Sequence, residues 1–320
     1  MSAVNEARRL AEDLLFPEAE RIDAAPVVPR RYLDALAGAG LYDLPGEALE
    51  AARVIEALGG ASLVTAFVWI QHHSPVRAVA AAGGAVAEEW LGPLRSGARR
   101  AGIAYAALRR AGPPAATAEP ARRGDGSWVL SGHAPWVTGW GLVDVVMAGA
   151  RYGDDMVWLL IDAEPQAAMA VEPVALAALQ ASATVSLRWA GLVVGAERVL
   201  GVEPYEDWRR RDAAGRAANG YLAVGVAERC ARLLGSAPLA AEVDGARAGL
   251  DTATPASVAA ARAQASLLAV RAAAALVAAG GGHSVEAGTA AARLMREATF
   301  LLVFGQTPDI RAGQAAGLGA

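Results

Sequence analysis

Hydrophobic residues in the first third of the chain recur with the period of a helix. Apolar residues stand three or four positions apart at Ala7, Leu10 and Leu14, and the same spacing returns between residues 48 and 58. Such spacing places apolar side chains on one face of a helix. We therefore predict a helical domain over residues 1–100.

From about residue 101 the pattern changes to short runs in which apolar and polar residues alternate. In one run Val185, Leu187 and Trp189 would face one side of a strand, and the polar residues between them the other. Because glycine, proline and aspartate separate the runs, we predict a small β-barrel or sandwich over residues 101–205. The predicted strands include Gly102–Ala107, Trp128–Ser131, Val143–Ala148, Met156–Ile161 and Thr184–Trp189.

The helical period returns in the last third of the chain, for which we predict a helical bundle over residues 206–320. A long helix is expected over Asp212–Leu234. Thr254-Pro255 has the composition of an N-cap followed by proline in the first turn, which predicts a second helix. The glycines at 280–282 would end it, and a last long helix would run to Phe304.

Composition narrows the function. The chain has 320 residues, of which 54% are hydrophobic and 19% charged, so we expect it to be folded. Its formal net charge of −4 offers no basic surplus for nucleic acid. The basic residues are all arginine, which excludes a Schiff-base lysine and a P-loop lysine.

Neither disulfides nor membrane segments are expected. Cys230 is the only cysteine, so it excludes an internal disulfide and a thiolate metal cluster, and we expect no metal site. The N-terminal residues carry charges throughout and do not resemble a secretory signal. The longest apolar run, Leu267–Ala279, is interrupted by Arg271 and is shorter than a membrane span. We expect a cytoplasmic protein without a membrane partner.

The C-terminal region carries the most specific motif. Gly281-Gly282 precede a helix containing the run Arg293–Ala298, and Phe304 and Thr307 follow it at a predicted turn. This arrangement resembles the C-terminal signature of the acyl-CoA dehydrogenase superfamily. The resemblance implies an α+β fold with an N-terminal helical domain, a middle β domain and a C-terminal four-helix bundle. It also implies an FAD cofactor, with Gly281, Gly282 and Thr307 among the cofactor-binding residues.

A second motif spans Trp128–Gly139. It is similar to a middle-domain segment of the same superfamily that ends in Trp-(Ile/Val)-Thr. The resemblance implies that Trp136 packs on the flavin ring and that Thr138 hydrogen-bonds its polar edge. A flat apolar ring with a polar rim needs an aromatic wall and a short hydrogen-bonding side chain, so these residue types suit that chemistry.

The residue that most members of the superfamily use as a base is missing. Gly305 stands where the resemblance would place the glutamate that removes the substrate α-proton, and glycine has no side chain to accept a proton. Some members place the base on the first long helix of the C-terminal domain, but the corresponding position here is Gly215. As the residue after a long helix, Gly305 is also predicted to adopt a left-handed conformation.

Several cofactor contacts of the superfamily are also changed. Arg232 stands one position later than the arginine that would reach the pyrophosphate of a neighbouring subunit's FAD, and we retain it as a cofactor-binding candidate. The other altered positions are Ala107, Pro113, Leu234 and Ala278.

Histidines are the remaining candidates for acid–base chemistry. His72 and His73 are adjacent, so on a helix their side chains diverge by about 100° and at most one of them enters a given pocket. His133 lies in the flavin-facing motif. Because histidine titrates near neutrality, we predict His73 and His133 as catalytic residues.

Three functions remain open. The first is a divergent flavin-dependent oxidoreductase, acting as a homodimer or tetramer on an acyl thioester or a biosynthetic intermediate. The second is a non-catalytic subunit that forms a heteromer with a complete dehydrogenase. The third is a flavin-free protein that reuses the fold as a cyclase or an acyl-binding protein.

Overall fold

A computed structural model of the chain describes residues 2–44, 46–109, 112–122, 124–214 and 217–320. Helices come first, a mixed β-sheet follows, and helices return at the C-terminal end. The predicted order of helical domain, β domain and helical bundle is confirmed.

The N-terminal region is helical because its apolar stripes pack on one another. Helix α1 continues into a π-helical turn at Ala11–Leu15, and Ser2 caps its first turn. The helices are α1 (Ala3–Leu10), α2 (Ala19–Asp23), α3 (Arg30–Gly38), α4 (Ala48–Ala61), α5 (Leu63–Ile70), α6 (His73–Ala82) and α7 (Gly84–Ser96).

The described residues of the middle region form one eight-stranded sheet in the order β6-β7-β3-β2-β4-β5-β8, with β1 paired to β4. Alternation in β7 buries Val185, Leu187 and Trp189, as predicted. Among the described residues β6 and β8 end the order without pairing to each other, so the sheet is open. The strands are β1 (Ala101–Ala104), β2 (Ala116–Pro120), β3 (Trp128–Val137), β4 (Val145–Tyr152), β5 (Asp155–Asp162), β6 (Met169–Pro173), β7 (Val185–Val194) and β8 (Val199–Pro204).

The C-terminal helices pack around α9 and α11 and share a hydrophobic core with the N-terminal helices. Thr289 and Thr307 cap the last two helices, each accepting a backbone N–H through its hydroxyl. The helices are α8 (Tyr205–Ala214), α9 (Ala218–Leu234), α10 (Ala237–Asp251), α11 (Val258–Gly280), α12 (Ala290–Val303) and α13 (Pro308–Leu318).

Two predicted helix boundaries are wrong. Asp212 lies in α8, and α9 begins only at Ala218. Helix α11 begins at Val258 with Ser257 at its N-cap. Thr254 lies in the preceding turn, where its carbonyl accepts hydrogen bonds from the Ser257 and Val258 amides. Local composition indicated that a helix starts nearby, but tertiary packing decides which turn is helical.

Three strands were not predicted. β2, β6 and β8 are exposed at many positions and contain charged or proline residues, so their alternation is weak in the sequence. The run predicted as Gly102–Ala107 ends as a strand at Ala104 and continues as a 3-10 turn. Sheet pairing, rather than local pattern, makes these segments strands.

One helical segment among the described residues, Val258–Val285, has the length and composition of a membrane span, as core helices of soluble proteins also can. In the fold, α11 lies against α9, α10, α12 and α13.

Candidate functional site

A large cleft lies where the N-terminal helices, the sheet and the C-terminal helices meet. Its volume is about 1890 Å³. Ligand pockets commonly measure about 300–1,000 Å³, so this cleft has room for a ring system together with a second molecule. Side chains from α4, α5 and α6 line one side, and residues 304–308 at the end of α12 line another.

Trp136 lies on the wall of the cleft that the sheet provides. The pairing of β3 with β7 shifts register between Ala134 and Val137, so a bulge falls at Pro135 and Trp136. Trp136 has a φ of 66°, a strained value for a residue with a side chain, and its indole is 48% exposed. A strained conformation that exposes a large aromatic ring to a cleft is typical of a functional position.

Hydroxyl groups lie below this wall. The Thr138 and Thr184 hydroxyls are 3.4 Å apart, and Thr184 is 2.8 Å from the Ser182 hydroxyl. All three residues are buried, and Thr138 and Thr184 line the cleft. Thr138 and Thr184 thus supply hydrogen-bonding groups to the cleft that Trp136 also lines. Thr307 also lines the cleft, where its hydroxyl caps α13 by accepting from the Ile310 amide at 3.4 Å.

Gly305 lies at the turn between α12 and α13 with a φ of 60°, which confirms the left-handed conformation. A side chain at this position would project toward polar groups of two other helices. A Cβ added to Gly305 would lie 2.9 Å from the Asn219 amide nitrogen and 3.7 and 3.8 Å from the two Arg262 η nitrogens. The position therefore faces hydrogen-bond donors. Gly215 lies outside the described residues.

Every carboxylate among the described residues that line the cleft is bound to a cation. Asp212 accepts from Arg109 at 2.5 Å, and Glu203 accepts from Arg211 at 2.7 Å. Asp251 accepts from the Tyr221 hydroxyl at 2.8 Å and pairs with an arginine of α4. The oxygens of these carboxylates are therefore already engaged by hydrogen-bond donors of the protein.

The two adjacent histidines have different surroundings. His72 is bonded through both ring nitrogens, with Nε2 3.0 Å from the Leu94 carbonyl and Nδ1 accepting the Ala101 amide at 3.0 Å. Nε2 must therefore carry the proton, and the ring is neutral. His73 lines the cleft, packs edge-on against Trp69 and makes no hydrogen bond to another described residue. The prediction that at most one of them enters the pocket is confirmed.

Burial sets the titration of both rings. It lowers the pKa of His72 to about 4, with a smaller contribution from the charge of Arg100. It also lowers the pKa of His73 well below its usual value, and the neighbouring His72 and Arg77 act in the same direction. His73 is therefore a neutral imidazole at neutral pH, and the burial that keeps it neutral also makes it a weaker base than an exposed histidine.

The buried His72 predicts a loss of stability below neutral pH. The unfolded chain takes up a proton near pH 6.5 and the folded chain only near pH 4. Stability that is fully present above about pH 6.5 is therefore lost as the pH falls toward 4, by about 3 kcal/mol. Urea unfolding at several pH values measures this loss, and His72→Gln should make the curve flatter. An equally steep curve in His72→Gln would contradict the assignment.

Three groups of predicted residues lie away from the cleft. The His133 side chain is exposed on β3 and does not line the cleft. Arg232 is bound to Glu12, with N–O distances of 2.7 and 3.2 Å. Gly281 and Gly282 follow α11 with open space where a Cβ would project, and their neighbours Gly280 and His283 line a second cavity of about 580 Å³.

Two residues beside Gly305 were missed in the sequence. Asn219 and Arg262 come from separate helices and meet only at the turn that contains Gly305. The available signals were an asparagine in the first turn of an apolar helix and an arginine on an alanine-rich helix. Neither signal indicates what the side chain contacts.

The chain is similar to known proteins in structure but not in sequence. No protein-family model matches the chain, and no curated protein matches it in sequence. Among solved structures, butyryl-CoA dehydrogenase from Megasphaera elsdenii has a TM-score of 0.82 at 18% identity, over 99% of this chain and 97% of that one.

Two other solved structures are equally similar. A glutaryl-coenzyme A dehydrogenase in complex with glutaryl-CoA has a TM-score of 0.82 at 19% identity, over 99% of this chain and 94% of that one. A probable acyl-CoA dehydrogenase from Mycobacterium abscessus has a TM-score of 0.83 at 20% identity, over 99% and 98% of the two chains. The chain therefore has the acyl-CoA dehydrogenase fold, confirming the fold expected from the two motifs.

Proposed function

We propose that the protein is a flavin-dependent oxidoreductase that has diverged from ordinary acyl-CoA dehydrogenation and acts on an acyl thioester or a biosynthetic intermediate. The observation that carries the proposal is Trp136, whose indole is held in the cleft by a strained bulge. A cavity that served only the packing of the fold would not require an exposed aromatic ring there.

The cleft suits the ring system of FAD. Trp136 would provide the apolar wall, and the Thr138 and Thr184 hydroxyls would meet the polar rim. Two superfamily contacts have no counterpart here, because Ala107 in the cleft and the exposed Pro113 have no hydrogen-bonding side chains. When bound, the flavin would supply two-electron redox chemistry.

His73 is the residue we propose for proton exchange with the substrate. It lies in the cleft, it is neutral, and no described residue occupies its ring nitrogens. The cleft's carboxylates are held by arginines, and Gly305 has no side chain. An imidazole that is already desolvated needs no further dehydration before it meets a substrate proton.

We propose that the second cavity, beside Gly281 and Gly282, receives part of the cofactor of a neighbouring copy in a homodimer or tetramer. The glycines leave the backbone open to a ligand, and nearby Val285 is 74% exposed. Arg232 is 54% exposed at its side chain and would have to exchange Glu12 for a phosphate.

Trp136→Ala tests the flavin proposal directly. Loss of a large aromatic contact should weaken flavin binding about ten- to hundredfold, because the contact combines buried apolar area with ring stacking. The measurement is the visible flavin absorbance per chain, followed by titration with FAD. Trp128→Ala is the matched control, since Trp128 lies on the same strand but packs against Tyr152 outside the cleft.

The same spectra separate the alternatives. Unchanged flavin binding in Trp136→Ala would remove this residue from the cofactor site. A colourless wild-type chain that takes up no FAD would contradict the oxidoreductase and support a flavin-free use of the fold. A chain that binds FAD only when mixed with a complete dehydrogenase would support the heteromer.

A further inference from the structure

We propose that Asn219, with Arg262 behind it, forms a binding site for a carboxylate of the substrate at the Gly305 end of the cleft. The proposal deepens the proposed function, since it takes the same cleft as the substrate site. It concerns binding alone, so it can be tested independently of flavin and turnover.

The Asn219 amide is available to a ligand. It lies in the first turn of α9, lines the cleft and makes no hydrogen bond through its side chain to another described residue. Its nitrogen lies where a side chain at position 305 would project. Asn219 is half-buried, so its amide, which has no protein partner among the described residues, can bond water or a ligand that enters the cleft. An amide donates hydrogen bonds to an acceptor oxygen and does not remove protons.

Arg262 gives this end of the cleft a positive charge. It is 4% exposed, and its Nη2 donates to the Phe304 carbonyl at 2.9 Å, which ties the guanidinium to the turn. Its η nitrogens lie 3.7 and 3.8 Å from the position of an added Cβ on Gly305. A buried cation attracts an anion more strongly than an exposed one because less water screens it.

The charged residues that line the cleft also favour an anionic ligand. Four arginines among the described residues line it, and two of them, Arg109 and Arg211, are paired with cleft carboxylates. The other two, Arg77 and Arg311, have no carboxylate partner among the described residues; they bond the neutral side chains of Ser74 and Gln306. The cleft therefore favours a ligand with negative charge.

The surroundings of Gly305 also require an apolar portion in the ligand. Phe67 packs edge-on against Phe300 and Phe304, with ring centroids 4.9 and 5.0 Å apart. These rings line the cleft together with Ile55 and Ile70. The ligand that fits is an acyl chain bearing a carboxylate, with the chain on the phenylalanines and the carboxylate on Asn219.

Decanoate and decanamide are suitable probes, since they share a chain and differ in charge. Calorimetric titration of the full-length chain as purified should show decanoate binding at least about tenfold more tightly than decanamide. Asn219→Ala should weaken decanoate binding about ten- to hundredfold, as expected for one hydrogen bond to a charged group. Asn219→Asp, nearly isosteric, should abolish the preference because its carboxylate would pair with Arg262 and repel the ligand.

Asn5→Ala is the matched control, because Asn5 is the other asparagine of the chain and lies exposed on α1. Thermal unfolding of each variant verifies that it is folded. If Asn219→Ala does not fold, Asn219→Asp provides the test. Equal binding of the two probes, no saturable binding of decanoate, or an unchanged preference in Asn219→Asp would each overturn the proposal. If these tests fail but Trp136→Ala still loses flavin binding, the carboxylate site is rejected and the proposed oxidoreductase is retained.

Discussion

Gly225→Ala is expected to destabilise the protein by about 3 kcal/mol or more, although alanine is the better helix former. Gly225 on α9 faces Gly60 on α4, and the two helices are in close contact there. A Cβ on Gly225 would overlap the Glu56 carbonyl oxygen, and a Cβ on Gly60 would lie 2.5 Å from the Gly225 oxygen. Backbone atoms cannot rotate away as side chains do, so the helices would have to separate.

The consequence extends beyond two helices. α4 belongs to the N-terminal region and lines the cleft, whereas α9 begins at the Asn219 side of the same cleft. Separating them opens the core that the two helical regions share. We therefore expect cooperative unfolding at lower urea concentration.

A matched control is available on α10. Gly245 is exposed in mid-helix, and an added Cβ would meet nothing within 4 Å. Gly245→Ala should stabilise the chain by about 0.5–1 kcal/mol through helix propensity alone. Urea unfolding of both variants measures the difference. Equal effects of the two substitutions would contradict the close contact of α4 and α9.

Arg293→Ala is expected to lower the free energy of unfolding by about 3–5 kcal/mol, the usual cost of breaking a buried ion pair. The Arg293 side chain is 1% exposed, and its Nη1 donates to both Glu297 carboxylate oxygens at 2.8 and 2.9 Å. Its Nε reaches Glu20 at 3.3 Å, and Glu297 accepts the Leu63 amide at 3.2 Å. The pair thus ties α12 to α2 and α5.

The pH dependence identifies the cause. Burial raises the pKa of Glu297, and loss of Arg293 would raise it further. An acid whose pKa is higher in the folded than in the unfolded state loses stability as the pH rises above the unfolded value. The defect of Arg293→Ala should therefore be larger near neutral pH than near pH 4.5, and urea unfolding at both values measures it.

Two further variants complete the test. Replacing both partners, in Arg293→Met with Glu297→Leu, should recover much of the lost stability because no buried charge remains. Arg271→Ala removes an exposed arginine that pairs with Glu242 and should cost less than about 1 kcal/mol. A double variant no more stable than Arg293→Ala would show that packing, rather than the unpaired charge, causes the loss.

The sequence could predict the fold because its signals are either local or carried by motifs. Helical spacing and strand alternation indicated three regions, and the Arg293–Ala298 run and the Trp128–Gly139 segment indicated the acyl-CoA dehydrogenase fold. Weakly alternating strands such as β6 and the true start of α11 were missed, since pairing and packing select them.

The site could be predicted only in part. Gly305 was recognised as lacking a base, because a missing side chain is visible in a sequence. The residues that surround Gly305 could not be recognised, because Asn219 and Arg262 reach the turn from two different helices. Similarly, adjacent histidines look alike in a sequence, but only His73 faces the cleft, since backbone groups of other elements hold His72.

By itself, therefore, the sequence determined the order of the elements, the type of fold and the absence of a carboxylate at position 305. Only the tertiary structure decided that Trp136 is exposed on a bulge, that the cleft's carboxylates are paired and that hydrogen-bond donors surround Gly305. The physical reason is that secondary structure follows from neighbours along the chain. A site's charge and hydrogen bonding follow from residues that packing brings together across long sequence separations.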